Sequence, residues 1–277
     1  MSSRALNADE IGCGRPFFDG AQMLLAPART RTDWLEESMG LADVSDAATC
    51  AALARAWLRD AQLEHASIAA FTRFSLQLLA LGAPAELVSA AQRAALDEVD
   101  HAQACFSLAS RYAGRAVGPG ELPMPSRLML SSLADAAAAS VHEGCVAETI
   151  AARLAYEQLQ HASDEQAHAT LIRIAMDETR HAGLGYQFVR WAIAAGGGAV
   201  YDAVQAAFAA SSQQLLAAEP GVQEPVALEI WHAHGRLSVS EQRACVLATL
   251  RDVIEPCAEA LLDAPRRAAM LAWSPAV

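Results

Sequence analysis

The sequence predicts an all-α protein built as a four-helix bundle, with two helical hairpins joined by a long connection. Three observations predict it. The chain is rich in alanine with few β-branched runs, and its apolar residues recur at threes, fours and sevens, the spacing of a helix buried along one face. Clusters of Gly and Pro cut it into segments of bundle length. Finally, Asp97-Glu98-Val99-Asp100-His101 and Asp177-Glu178-Thr179-Arg180-His181 repeat one pattern, Asp-Glu-x-x-His, about eighty residues apart. Glu and His three residues apart lie one above the other on a helix. Two such pairs on facing helices, with one further carboxylate apiece, form the ligand set of a carboxylate-bridged dinuclear metal site.

Composition narrows the function classes. Hydrophobic residues make up 53% and charged ones 19%, which favours a packed core over disorder. A net charge of −12 argues against a nucleic-acid partner, which calls for a basic face. The N-terminal stretch Met1 to Ile11 is polar and lacks the apolar core of a secretory signal. Arg73, Arg153, Arg173 and Arg190 interrupt the longest apolar runs, so no membrane span is expected and a cytoplasmic location is. Six scattered cysteines (Cys13, Cys50, Cys105, Cys145, Cys245, Cys257) form no Cys-x-x-Cys pair. They are expected to be reduced core residues rather than ligands of zinc or of a rubredoxin-type iron.

Residues 1–45 are broken by Gly12, Gly14, Pro16, Gly20, Pro27 and Gly40, which predicts an irregular strap anchored by Phe17, Phe18, Leu24, Leu25 and Trp34. The bundle is expected over 46–195. Ser45-Asp46 offers an N-cap for a helix to about Leu81, with Trp57, Leu63, Glu64, Ile68 and Phe71 near one face. Gly82-Ala83-Pro84 turns the chain into a second helix that ends near Tyr112 and carries Glu98 and His101. Gly114, Gly118, Pro119, Gly120, Pro123 and Pro125 mark the long connection. A third helix starts at Ser131 or Ser132 and runs to about His161. Ser163-Asp164-Glu165-Gln166 caps a fourth, which ends before Gly196-Gly197-Gly198. Three more helices, about 199–217, 224–235 and 238–262, are expected to pack on the bundle within 196–277, with a weakly held tail from Asp263.

The first and third helices must complete the ligand set. Glu64 is the acidic residue inside the first helix's apolar stripe, whereas Asp60, one turn earlier, reads as solvated. The third helix offers Glu143 and Glu148. Antiparallel helices joined by a tight turn place residues level when they are equally far from it. With the turn at Ser163, Glu148 lies 163 − 148 = 15 residues before it and Glu178 lies 178 − 163 = 15 after it. At roughly 1.5 Å per residue, Glu143 would sit about 7 Å off along the axis, so Glu148 is preferred and Glu143 is kept as a supporting or channel group.

Two divalent cations about 3.5–4 Å apart need anionic oxygens, some of them bridging, in a low-dielectric core. One imidazole per ion suits iron or manganese better than calcium or magnesium. Asp97 and Asp177 precede the ligand Glu residues and can each orient the imidazole of the opposite motif. His65, His142, His161 and His168 read as partly exposed helix residues, and Tyr156, Tyr186 and Trp191 as packing residues.

The series Glu64, Glu98-x-x-His101, Glu148, Glu178-x-x-His181 resembles the ferritin-like superfamily of diiron carboxylate proteins, over roughly residues 47–195. Asp177-Glu178-Thr179-Arg180-His181 is similar to the Asp-Glu-x-Arg-His motif of ribonucleotide reductase small subunits and related oxidases, whereas the first copy has Asp100 in the Arg position. The resemblance implies metal binding by Glu64, Glu98, His101, Glu148, Glu178 and His181, with Fe/Fe favoured and Mn/Fe as the variant. Within the superfamily, iron-storage cages have no need of the long C-terminal extension, and rubrerythrins commonly carry a rubredoxin module that this chain lacks. tRNA-hydroxylating relatives call for a basic face, and arylamine N-oxygenases for a His where Ile174 stands. An oxidase or monooxygenase acting on a small organic substrate is therefore expected, with dioxygen and an external electron donor as partners and a homodimer as an allowed assembly. The rivals are a peroxidase or ferroxidase and an inert metal-storage protein.

Overall fold

The computed structural model describes residues 14–20, 22–36, 46–125, 132–219, 221–222, 224 and 226–272, with the side chains of 264–272 excepted. The fold is all-α apart from two short antiparallel β pairs. α1 (Ala47–Ala80) starts at Asp46, whose carboxylate accepts from the Ala48 and Thr49 N–H groups. Gly82, at φ +65°, turns the chain into α2 (Ala85–Ala113), which enters behind Pro84 and stops at left-handed Gly114.

After the connection, the Ser132 hydroxyl caps α3 (Leu133–Ser140). A π-helical stretch (Val141–Ala147) then joins it to α4 (Glu148–His161) without a break in direction. Asp164 caps α5 (Glu165–Ala217), which is interrupted at Gly197, φ 63° and ψ −144°, where the glycine triplet predicted a helix end. α6 (Leu228–Ala233) and α7 (Val239–Thr249) follow, the latter held by a capping box between Ser238 and Glu241. A second π stretch (Leu250–Ile254) leads into α8 (Glu255–Ala272).

α1 packs on α2, the α3–α4 segment packs on α5, and the two pairs meet where α2 faces α5. α6 and α7 lie against α4, and α8 against α5. Among the described residues a small apolar cluster joins Phe17 and Leu24 of the strap to Ala66 and Ala70 of α1, and two larger ones fill the bundle. One is built around Phe71, Phe74, Leu78, Ile150, Leu184 and Phe188, with Phe74 and Phe188 edge to face at 5.1 Å. The other holds Leu53, Trp57, Phe106, Leu171, Ile174 and Trp231. Among the described residues, no helix is long and apolar enough to cross a membrane.

Several expectations are corrected. The strap is not wholly irregular: β1 (Phe18–Asp19) pairs with β2 (Gln22–Met23), and β3 (Ala28–Arg29) pairs with β4 (Gly118–Pro119) in the long connection. Phe17 and Leu24 are its buried anchors, while Phe18, Leu25 and Trp34 are half-buried. The stretches 1–13 and 37–45, with Cys13, lie outside the described residues, as do 273–277. The backbone of α8 continues as helix well past Asp263. Asp60 is not solvated: it is buried and ion-paired with Arg236, which follows α6. Tyr156 and Cys257 are exposed rather than packed, and of the five described cysteines, all free, only Cys105 and Cys145 are buried.

Candidate metal centre

Each ligand candidate owes its place to helix geometry. On α2, Glu98 and His101 are one turn apart and point inward between small residues, Ala94, Ala102 and Ala104, that admit close helix packing. Glu178 and His181 do the same on α5, beside Ala175 and Ala182. Glu64 comes from the buried stripe of α1, and Glu148 is the first residue after the π stretch. All four Glu and His101 are fully buried, and His181 is 2% exposed.

The six residues form two overlapping groups whose ligand atoms lie within 4.8 Å of one another. Glu64, Glu98, His101 and Glu178 make one, and Glu98, Glu148, Glu178 and His181 the other. Glu98 and Glu178 belong to both, the placement of bridging carboxylates. His101 Nδ1 stands 3.5 Å from Glu98 Oε2, 3.7 Å from Glu178 Oε1 and 3.8 Å from Glu64 Oε2. His181 Nδ1 stands 3.1 Å from Glu98 Oε1 and 3.6 Å from Glu178 Oε2. The structure thus brings Glu148 into the cluster and leaves Glu143 outside it, ion-paired with Arg15 and Arg73.

The outer nitrogens of the imidazoles are held crosswise. His101 Nε2 is 3.0 Å from Asp177 Oδ2, and His181 Nε2 is 3.1 Å from Asp97 Oδ2. A proton on each Nε2, given to these carboxylates, leaves the Nδ1 lone pairs facing the cluster. The pairings 97 with 181 and 101 with 177 relate α2 and α5 as antiparallel helices about a local two-fold. Arg180 breaks that symmetry: one guanidinium binds Asp177 at 2.5 Å and Asp97 at 3.2 Å, and Asp100, its counterpart on α2, is exposed.

The electrostatics of the metal-free cluster are unfavourable. Both oxygens of Glu64, Glu98, Glu148 and Glu178 and both inward nitrogens are buried without hydrogen-bond partners. Burial, reinforced by the neighbouring carboxylates, pushes the Glu64 and Glu148 carboxyls well above the usual range. Burial also opposes ionisation of Glu98, but the imidazoles of His101 and His181 outweigh it and hold that carboxyl below its ordinary value. For the two imidazoles burial favours the neutral form, yet Asp177 beside His101, Asp97 beside His181 and the cluster's own carboxylates raise both well above 6.5. Four carboxylates are the charge that two divalent cations would neutralise, and the donor set of oxygens and imidazole nitrogens fits iron or manganese. The residues present therefore fit a metal group.

Neighbouring features shape access. Phe71 packs edge-on against His181 at 4.9 Å between ring centroids. A surface pocket of about 240 Å³ reaches His181 and Asp97 and is lined by Ala90, Arg93, Ala94, Leu96, Arg180 and Leu184. α5 approaches the π stretch so closely that a Cβ on Gly185 would lie 2.6 Å from the Gly144 carbonyl carbon. From the strap, Gly14 (φ +69°) lies over Glu64, where a Cβ would come within 2.9 Å of Oε2. Sequence reasoning missed this contribution of Gly14 and Arg15, because an isolated Gly-Arg in an aperiodic stretch carries no positional signal. Comparison with protein-family models, curated proteins and solved structures finds no match to this chain.

Proposed function

We propose that the protein is a ferritin-like dinuclear-metal oxidoreductase, with two irons as the favoured pair and manganese with iron as the variant, that uses dioxygen to oxidise a small organic substrate. One observation carries the reading: two four-residue ligand groups share Glu98 and Glu178 in a buried layer whose oxygens and Nδ1 atoms have no other partner. When bound, such a metal pair supplies the electrons and open coordination positions for oxygen chemistry, and an external donor must restore the electrons.

The chain's own residues supply the rest. Glu64 and Glu148 would each help to hold one ion, and Glu98 and Glu178, which belong to both groups, would help to hold both. Asp97 and Asp177 hold the imidazoles in the tautomer that binds metal. Phe71, fully buried and edge-on against His181, keeps bulk water from that side of the layer. The pocket of about 240 Å³ beside His181 is smaller than the roughly 300–1,000 Å³ of drug-sized sites, which supports a substrate of few atoms.

The test is elemental analysis of protein produced with iron and manganese, then anaerobic reduction and exposure to oxygen under optical spectroscopy. About two metals per chain with a transient oxygen-dependent band is expected. Two metals that respond to peroxide and not to oxygen would transfer the reading to a peroxidase. Two metals with no response to either would make the site an inert store, and absence of metal would sink the proposal.

A further inference from the structure

A second cluster of charge lies apart from the metal centre, where the strap meets α1 and the α3–π junction. Arg15 enters there from the strap and is 1% exposed. Its guanidinium carbon sits 4.1 Å from the Phe74 ring centroid and 5.2 Å from that of Phe71. Arg15 Nε donates to Glu143 Oε2 at 3.3 Å. Arg73 on α1 donates to the other oxygen, Oε1, at 2.8 Å and to the Phe18 carbonyl at 3.2 Å. Two guanidiniums therefore share a single carboxylate, which leaves one positive charge in a largely buried space.

Two donors here lack acceptors. Arg15 Nη1 has no hydrogen-bond partner, and neither has the hydroxyl of buried Ser140. They converge on Gly144: the position of a Cβ on that glycine lies 3.2 Å from Ser140 Oγ and 3.4 Å from Arg15 Nη1. A cavity of about 20 Å³ adjoins Arg15 and is lined also by Arg73, Phe74, Gln77 and Glu143, with Ala136 and Ala139 from the helix that carries Ser140. That volume exceeds the roughly 10–15 Å³ that admits one water-sized group. A water molecule there would satisfy a donor but not the charge, a metal cation would be repelled, and a sulfate or phosphate would not fit.

We propose that Arg15, Arg73 and Ser140 form a binding site for one small monovalent anion of halide or formate size, separate from the metal centre and independent of what that centre does. Its place in the fold gives it a role. The Arg15 carbonyl accepts from the Ser67 hydroxyl at 2.9 Å, and Gly14 lies on Glu64, so an anion that fixes the Arg15 side chain also clamps the strap across the metal layer.

The full-length protein is crystallised in sodium bromide and, separately, in sodium formate, and its thermal unfolding is followed against both salts with sodium gluconate at equal ionic strength as the oversized control. An anomalous bromide peak or formate density in contact with Arg15 Nη1 is expected, with a saturable rise in unfolding temperature that gluconate does not give. Formate without bromide would identify a carboxylate as the natural occupant, and bromide a halide. Arg15→Met should abolish the response. Ser140→Ala, which leaves both ion pairs in place, should weaken the half-saturating concentration by about tenfold, the effect of one lost hydrogen bond to an ion. Neither anion at this position, or an identical salt response in wild type and Ser140→Ala, would overturn the proposal.

Discussion

The assignment of the third-helix ligand can be tested without knowledge of the substrate, by comparing Glu148→Gln with Glu143→Gln. Glu148 belongs to one ligand group, so its loss leaves Glu64, Glu98, His101 and Glu178 intact around the other position. Elemental analysis should fall from about two metals per chain to about one, on the two-ion site proposed above. Stability should follow. An ion at a hundred times its dissociation constant stabilises by about 2.7 kcal/mol, so two contribute about 5.4 kcal/mol and one about half that. At about 2 °C per kcal/mol for a chain of this length, metal should raise the unfolding temperature of the wild type by about 11 °C and that of Glu148→Gln by about 5 °C. Without metal the variant should unfold close to the wild type. Burial and the neighbouring Glu178 already hold the Glu148 carboxyl well above its usual range, and an amide replaces a neutral acid at little cost. Glu143→Gln should keep both metals and lose only its pairing with Arg15 and Arg73. Two metals and the full thermal shift in Glu148→Gln, or one metal in Glu143→Gln, would refute the assignment.

Asp177→Asn should weaken metal binding by about 10–100-fold in a chelator competition, because it disturbs the support of His101 and not a ligand; unchanged affinity would show that the Asp177 contact is idle. Stability without metal should fall as pH rises from about 4.5, where the carboxyls of the unfolded chain ionise, and further above about 6.5, where its imidazoles deprotonate. The raised imidazoles of His101 and His181 and the raised carboxyls of Glu64 and Glu148 bind protons more tightly in the folded chain, and that stabilisation is lost as they deprotonate. Metal must displace those protons, so its affinity should rise over the same range, and equal pH profiles with and without metal would contradict the protonation argument. Asp60→Ala removes the carboxylate paired with buried Arg236 and should cost about 3–5 kcal/mol in urea denaturation; a loss under about 1 kcal/mol would mean that Arg236 reaches water.

The parts of this structure visible in the sequence are those set by local backbone geometry. Glu98 with His101 and Glu178 with His181 need only the helical repeat, and the caps at Asp46, Ser132 and Asp164 need only a side chain ahead of a periodic run. The preference for Glu148 needed one more element, a tight turn from which to count. Arg15–Glu143 and Asp60–Arg236 join residues 128 and 176 positions apart, one partner of each lying outside regular helix, and no spacing rule reaches them. The π stretch escaped for a related reason. Glu143 and Glu148 are five residues apart, which in an unbroken α-helix turns their side chains about 140° from each other. A wider turn changes that angle, and the structure has Glu148 in the cluster while Glu143 faces Arg15 and Arg73. What accompanies the wide turn is a backbone contact between Gly144 and Gly185, a tertiary feature without a periodic signature.

The buried carboxylates also explain why a candidate metal site stands out in this chain while a substrate does not. A bundle selected for stability alone would fill this layer with apolar side chains, since replacing buried ion clusters by hydrophobic residues is commonly neutral or stabilising. Here four acids and two imidazoles occupy it with their inward atoms unpartnered, a conflict with packing that cations remove. Local rules fail together at a functional site, and their joint failure at six positions on four helical segments makes the site conspicuous. On the proposed function, substrate choice would rest on no such conflict. It would depend on the shape of a pocket beside His181 and on the strap that lays Gly14 over Glu64, and ordinary residues such as Ala90, Leu96 and Leu184 line that pocket. The same reasoning would place the proposed chemistry on the bundle and its selectivity on what covers the bundle.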